Sequence, residues 1–380
     1  MRRWPIAFLL VAALVVIAGG CGAGEPSRPP GVAFTKVELP GGAAAVVLSA
    51  SEDTLLIGVR RPGQPVVPGL LRLDGQGAIN EVPVQGVTPY GLLARWRSIA
   101  FDGERILALG GERGGAHGHV RWSVWSGSTD GLDEQRQGFS TFGGYEAGDM
   151  VDAVLAPAGG ALVGAWASAR LGFDVAVWTL QGEDWIRQSS AGTALESSET
   201  GLGFPMAAAS VGDGILVAGW QVRLGAGGSG QQPVVWQSSS FNTGWTATAL
   251  PDAGDLAAAL AVRCWSDGCG VAGRVDGKLA VWQLSGGAWA RRPGLPPVPV
   301  GDRDRLAAPI ELGGQLFQPM SDGGQVKLAR VDGDGWAVRT VDGPAGTVTA
   351  MAVAGDSVYL LAGPDEDSQT LWRADLTALR

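Results

Sequence analysis

The chain has 380 residues, enough for two ordinary domains or one large repeat domain. Hydrophobic residues make up 46% and charged residues only 17%, which excludes a disordered chain in spite of 61 Gly and 22 Pro. The net charge of −9 leaves no electrostatic footprint for nucleic acid.

Taken in order, residues 1–20 begin with Arg2 and Arg3, run through an apolar stretch from Ile6 to Ala18, and end in Ala18, Gly19 and Gly20 directly before Cys21. This is the basic, apolar and small-residue order of an export signal, and the apolar run is short for a spanning helix. The stretch resembles a bacterial lipoprotein precursor, with Ala18 standing where Leu is commoner. That resemblance implies cleavage before Cys21 and a diacylglycerol thioether on its sulfur. It places the protein outside the cytoplasm, lipid-anchored on the outer face of the bacterial cell membrane. An ordinary secretory signal and a retained anchor are the alternatives. Without Arg2 and Arg3, 26 of the 28 basic residues remain against 37 acidic ones, a net charge near −11. Residues 21–33, rich in Gly, Pro and Ser, read as the lipidated Cys and a flexible tether.

From residue 34 to 380, strand-like runs alternate with Gly, Asp, Ser and Asn turns, with no convincing amphipathic helix. The runs fall into groups of four. The first spans about Ala43 to Gln85, as AAAVVLSA, TLLIGVR, GLLRLD and INEVPVQ. The second is SIAFDG, RILALGG, HVRWSVWSG and a weak fourth run around EQRQGFS; the third is VDAVLAPAG, ALVGAWA, DVAVWTL and DWIRQSS. MAAASVGDG, ILVAGWQ, PVVWQSS and GWTATALP form the fourth, and the clearest copy lies within Leu256–Pro296. A sixth follows with LAAPIELGG, QLFQPMS, VKLARVDGD and WAVRTVDGP. The last has only TAMAVAGDS, VYLLAG and TLWRADL. Its missing strand is predicted to be Phe34–Pro40, FTKVELP, which has the form of WTATALP. Units of this kind resemble the blades of a β-propeller. The expected fold is therefore all-β: seven four-stranded blades, closed by the N-terminal strand completing the C-terminal blade. Six or eight blades would follow if blade one or two were misread.

Trp125, Trp178, Trp236, Trp282 and Trp372 fall at one point of the third strands, and Trp185, Trp245, Trp289 and Trp336 open the fourth. Large rings at a repeated position are expected to fill the wedge between blades. Cys264 and Cys269 flank WSDG in a turn, and export favours a disulfide between them over free thiols or a metal pair. With Trp282 and Trp289 also explained by packing, Leu256–Pro296 reads as architecture.

His117 and His119 are the only histidines, and no carboxylate cluster adjoins them in sequence, so no metal and no cofactor are expected. There is no GxSxG, P-loop or HExxH motif. SGSTDG and VDGDGW faintly resemble the Asp-box turns of sialidase-type propellers, but Asp332, Asp334, Gly335 and Trp336 lack the spacing and the leading Ser. WD-dipeptide and kelch double-Gly signatures do not recur, so no single propeller family is indicated.

Turns after first and most third strands are short, whereas connections after second and fourth strands are long. In an up-and-down blade both long classes emerge on one face, where binding usually sits. Candidate residues there are Tyr90, Arg95, Trp96, Arg113, Tyr145, Glu146, Arg170, Glu199, Arg223, Asp302 and Arg303. The expected protein is a monomeric binding scaffold held to the membrane through Cys21. Its expected partner is an envelope protein, a glycan or a small ligand on the long-loop face. The alternative is a glycoside hydrolase, of sialidase type or another, working with paired carboxylates.

Overall fold

The computed structural model describes residues 31–379 apart from 62, 65, 115–117, 138–146, 169, 225–229, 303 and 366–367. Seven sheets, each with an antiparallel four-stranded body, succeed one another along the chain. Blade one is Ala44–Ser51, Thr54–Arg60, Pro68–Leu73 and Ile79–Val82; blade two is Arg95–Phe101, Ile106–Arg113, Val120–Ser128 and Gly131–Glu134. Blade three is Ala147–Ala156, Gly159–Ala167, Phe173–Gln181 and Asp184–Arg187; blade four is Gly201–Val211, Gly214–Arg223, Gly230–Gln237 and Thr246–Ala249. Blade five is Ala257–Trp265, Gly268–Val275, Lys278–Ser285 and Ala288–Arg291; blade six is Ile310–Leu312, Gln315–Asp322, Gln325–Asp332 and Gly335–Ala345. Blade seven is Thr347–Ala354, Ser357–Gly363 and Thr370–Asp375 from the C-terminus, completed by Thr35–Lys36 from the N-terminus. The protein is a seven-bladed β-propeller.

Closure uses more of the N-terminus than the sequence suggested. Thr35 and Lys36 pair with Arg373 and Trp372, and the Val37 amide donates to the Leu371 carbonyl at 2.8 Å. Just before them, Val32 and Ala33 run parallel to Val341 and Asp342 at the outer edge of blade six. Val32 and Phe34 are buried in the core between blades six and seven. The segment therefore staples two blades, and Val32–Ala33 belongs to the sheet rather than to a tether. Blade two differs too. Its fourth strand is Gly131–Glu134, earlier than the EQRQGFS run, and Val84–Gln85 leaves blade one to pair parallel with it. Pro83 supports that exchange: its carbonyl accepts from the Leu132 amide at 2.9 Å.

The third-strand tryptophans behave as wedges. Trp125, Trp178, Trp236 and Trp282 are among the largest fully buried side chains, whereas Trp372 is half-buried. Trp125 meets Trp96 edge-on at 4.8 Å, and Trp282 Nε1 donates to the Pro251 carbonyl at 2.8 Å. The tight hairpins follow the mirror-image turn chemistry that right-twisted strands require. Asp276 and Gly277 both have positive φ (50° and 72°), as do Gly286 and Gly287 (59° and 81°).

Candidate functional site

The first strands of successive blades neighbour one another and line an axial cavity of about 380 Å³. In six of the seven blades the first strand carries a β-bulge, a residue left unpaired between pairs with the second strand, and blade three has a second irregularity between Ala147 and Met150. The bulged residues are Val46, Arg97, Val151, Met206, Leu260 and Thr349. All six line the cavity. The bulge has a sequence cause in four blades. Gly110, Gly164, Gly219 and Gly273 of the second strands pair with the residue before the bulge, and a Cβ on any of them would collide with the carbonyl oxygen of Arg95, Asp149, Phe204 or Ala258. The glycine lets the backbones close in while the partner strand bows out, a device common beside functional sites.

Blade six breaks the pattern. Pro309, which has no N–H to donate, directly precedes a first strand cut down to Ile310–Leu312, and an irregular segment enters the ring in its place. That segment brings Asp302, Asp304, Arg305, Leu306 and Ala308 to the cavity. It is held at both ends: Val300 N donates to Gly277 O at 2.8 Å, Asp304 accepts from Gly301 N at 2.7 Å, and the buried Gln318 donates to Ala307 O at 3.1 Å.

The charges in the cavity are Arg97, Arg263, Arg305, Asp152, Asp302 and Asp304. Asp152 ties three blades together: it accepts the Ala208 amide at 2.7 Å and bonds the Ser98 hydroxyl. Burial pushes its carboxyl above the usual carboxylate value, outweighing those bonds and the pull of Arg97 and Arg305. Arg97 Nε also donates to Val151 O at 3.3 Å, and Asp302 pairs with Arg274. Burial likewise draws the Arg263 guanidinium below the usual arginine value.

Three further cavities open on the long-loop face and meet the axial one. One of 430 Å³ between blades one and two is lined by Arg60, Arg95, Arg97, Arg113 and Arg305 against the single carboxylate Glu112. Another, of 570 Å³, shares Arg97 and Met206 and is walled by Trp122, Phe173, Phe204, Trp220 and His119. The third, of 320 Å³, shares Asp304 and Arg305. All four cavities thus converge on Arg97 and Arg305, a cationic junction in a chain of net charge −9.

The sequence-predicted residues are distributed around this face. Arg95 (3.7 Å from Glu112), Arg113 (donating to Gly118 O at 3.2 Å) and Trp96 meet in the 430 Å³ cavity. Trp96 is buried, its Nε1 donating to Gly69 O at 2.7 Å. Tyr90 lies on the short helix Pro89–Leu93, close against Gly114. Glu134 secures the entry to that helix by accepting from Val87 N, Thr88 N and the Thr88 hydroxyl at 2.6–2.8 Å. Arg170 pairs with Glu196 at 3.6 Å and Arg223 with Asp255 at 3.1 Å, both on the rim, and Glu199 is exposed in the connection to blade four. Asp302 lines the axial cavity. Tyr145, Glu146, Arg303, His117 and the lipidation residue Cys21 lie outside the described residues.

Sequence reasoning missed Arg97, Asp152, Arg263, Asp304 and Arg305. A signal for two of them, Arg263 and Asp152, was present: a charge among small, apolar residues of a first strand, as in AAALAVRCW and MVDAVLA. Cys264 and Cys269 form a disulfide across directly opposed residues of the blade-five hairpin. Among the described residues, no three His, Cys, Asp or Glu side chains cluster to hold a metal ion.

No protein-family model matches the chain, and no curated protein matches it in sequence. Solved structures do match in shape. A putative 6-phosphogluconolactonase from Bacteroides uniformis is 14% identical, with TM-score 0.52 over 86% of this chain and 93% of its own. YCF48 bound to a D1 peptide is 11% identical, with TM-score 0.51 over 90% and 94%. One of two prolyl endopeptidases is 12% identical, with TM-score 0.51 over 88% of this chain, which spans only 48% of that enzyme. Identities this low bear on the fold alone, since propellers host many activities.

Proposed function

We propose that the protein is an exported, lipid-anchored propeller that works by binding, taking an anionic partner or ligand on its long-loop face. The observation that carries this reading is the convergence of four cavities on Arg97 and Arg305, ringed by Arg60, Arg95 and Arg113. Positive potential gathered over a concave mouth steers and orients anionic partners. A diacyl group on Cys21 anchors far better than one chain. Both N-terminal strands run towards the long-loop face, so Gly31 enters from the short-loop side of the propeller. Two experiments test this. Cys21→Ser should move the protein from the membrane fraction to the soluble one. Crosslinking and pull-down of the lipidated protein from its own membranes should capture a partner that the double variant Arg95→Ala/Arg113→Ala loses; equal capture by that variant overturns the site.

A glycoside hydrolase is the second reading, favoured by one observation: the raised carboxyl of Asp152 shares a cavity with Asp304, as an acid and its companion carboxylate would. Turnover of fluorogenic glycosides by the wild type, abolished in Asp152→Asn, would establish it; no turnover across sialosides, uronides and neutral hexosides would dismiss it.

A further inference from the structure

We propose that Arg263 is the anchor of a carboxylate-binding site deep in the axial cavity, the inner end of the binding face proposed above and resting on that reading. Arg263 is a guanidinium with no counter-charge among the described residues. Among the described residues Arg97 and Arg305 are both drawn to Asp152, and Arg274 holds Asp302. No acidic group acts on Arg263, and it has no hydrogen-bond partner there, yet it lines the cavity. Arg263 is half-buried, so its guanidinium keeps contact with the cavity water and keeps its charge, and an anion entering the cavity finds it unengaged.

Position makes the site reachable from the mouth. Arg263 follows the bulged Leu260 by three residues, about 10 Å further along the strand. At the same register in the other blades stand Ser49, Ala100, Val154, Ala209 and Ala352, all short side chains. A ligand therefore passes the collar of bulged residues, with Thr349 among them, before it meets Arg263. The Arg263–Gly270 pair lies next to the Cys264–Cys269 disulfide, which fixes the strand that presents it.

Charge balance selects the chemistry. With Asp302 paired to Arg274, the cavity sets Arg97, Arg263 and Arg305 against Asp152 and Asp304. That excess of one positive charge calls for a monoanion, and the planar fork of a guanidinium matches a carboxylate through two parallel hydrogen bonds. A phosphate dianion would be left over-charged at this depth. The cavity volume of about 380 Å³ accommodates a small ligand with its carboxylate leading.

Sodium acetate, titrated into the full-length protein against sodium chloride at constant ionic strength, tests the site. Acetate should raise the melting temperature beyond chloride, and should shift the Arg263 Nε–H resonance saturably. Arg263→Gln should bind acetate at least about tenfold more weakly, since it loses a charge-assisted pair. It should also melt close to the wild type without acetate, because Arg263 makes no ion pair among the described residues that the substitution would break. Arg263→Lys, which keeps the charge but not the fork, should fall between. Equal effects of chloride and acetate, inorganic phosphate outcompeting acetate, or Arg263→Gln melting lower while keeping its response to acetate would each overturn the proposal. A failed titration leaves partner capture at the rim standing, and a failed capture leaves the titration standing.

Discussion

The third strands and the first strands of this propeller repeat in different ways. Along the third strands a residue repeats: Trp125, Trp178, Trp236 and Trp282 occupy one register, and all four are buried between blades. Along the first strands a backbone feature repeats, the bulge, while its residue changes from Val46 to Arg97, Met206 and Thr349. A position that keeps its side chain serves the packing common to every blade. A position that keeps its geometry and varies its side chain offers a ring of differing groups on one rigid frame, as a binding site needs.

The sharpest way to break that contrast is in the packing. Trp282→Ala should destabilise the protein by about 3–5 kcal/mol, the range for emptying a core aromatic site. It should do so without altering any ligand response of the cavity. A denaturant melt unchanged by the substitution would remove Trp282 from the core.

Next in size is the support of a bulge. Gly273→Ala forces a Cβ onto the Ala258 carbonyl and should cost about 1–3 kcal/mol through backbone displacement. Because Leu260 and Arg263 share that strand, it should also weaken acetate binding, which Trp282→Ala should not. Loss of stability with an unchanged titration would show that the bulge does not position the cavity wall. Smaller still is the disulfide. It closes a loop of only a few residues, so the pair Cys264→Ser/Cys269→Ser should lose at most about 2 kcal/mol in a thermal melt. A larger loss would mean that the bond supports more than its own hairpin.

The contrast also explains what was legible in the sequence. Seven blades, the closing N-terminal strand, the Trp wedge and the Cys264–Cys269 pair all rest on short-range pattern, and pattern repeated seven times is hard to misread. The cavity is another matter. Arg97, Asp152, Arg263 and Arg305 belong to four blades, and only the ring brings them together. Long loops drew attention to the rim, and Arg95 and Arg113 do lie there, but the inner wall is made by strands whose bulges are a backbone property. Leu256–Pro296, read as architecture alone, carries Arg263. Its one charge among small residues was the only sign, and alternation disguised it as the edge of a strand.

The smallest expected effect separates the two regions by pH. The Asp152 carboxyl is raised by burial, against the opposing bonds from Ser98 and Ala208 and the pull of Arg97 and Arg305. Above the ordinary carboxylate value of 3.8, the unfolded chain has released this proton while the folded protein still holds it. The folded state then binds more protons, so linkage makes stability fall as pH rises through the window between the two values. Below that window the contribution is complete, and above it the loss is complete. Asp152→Asn has no proton to release. Wild-type stability minus that of the variant should therefore decline from about pH 4 upward and then level off, in denaturant titrations at successive pH values. The same difference for Trp282→Ala should stay flat, because that ring is buried among apolar side chains. A difference that rises with pH for Asp152→Asn would mean that Arg97 and Arg305 outweigh burial, and that the cavity holds a fully ionised carboxylate at every pH tested.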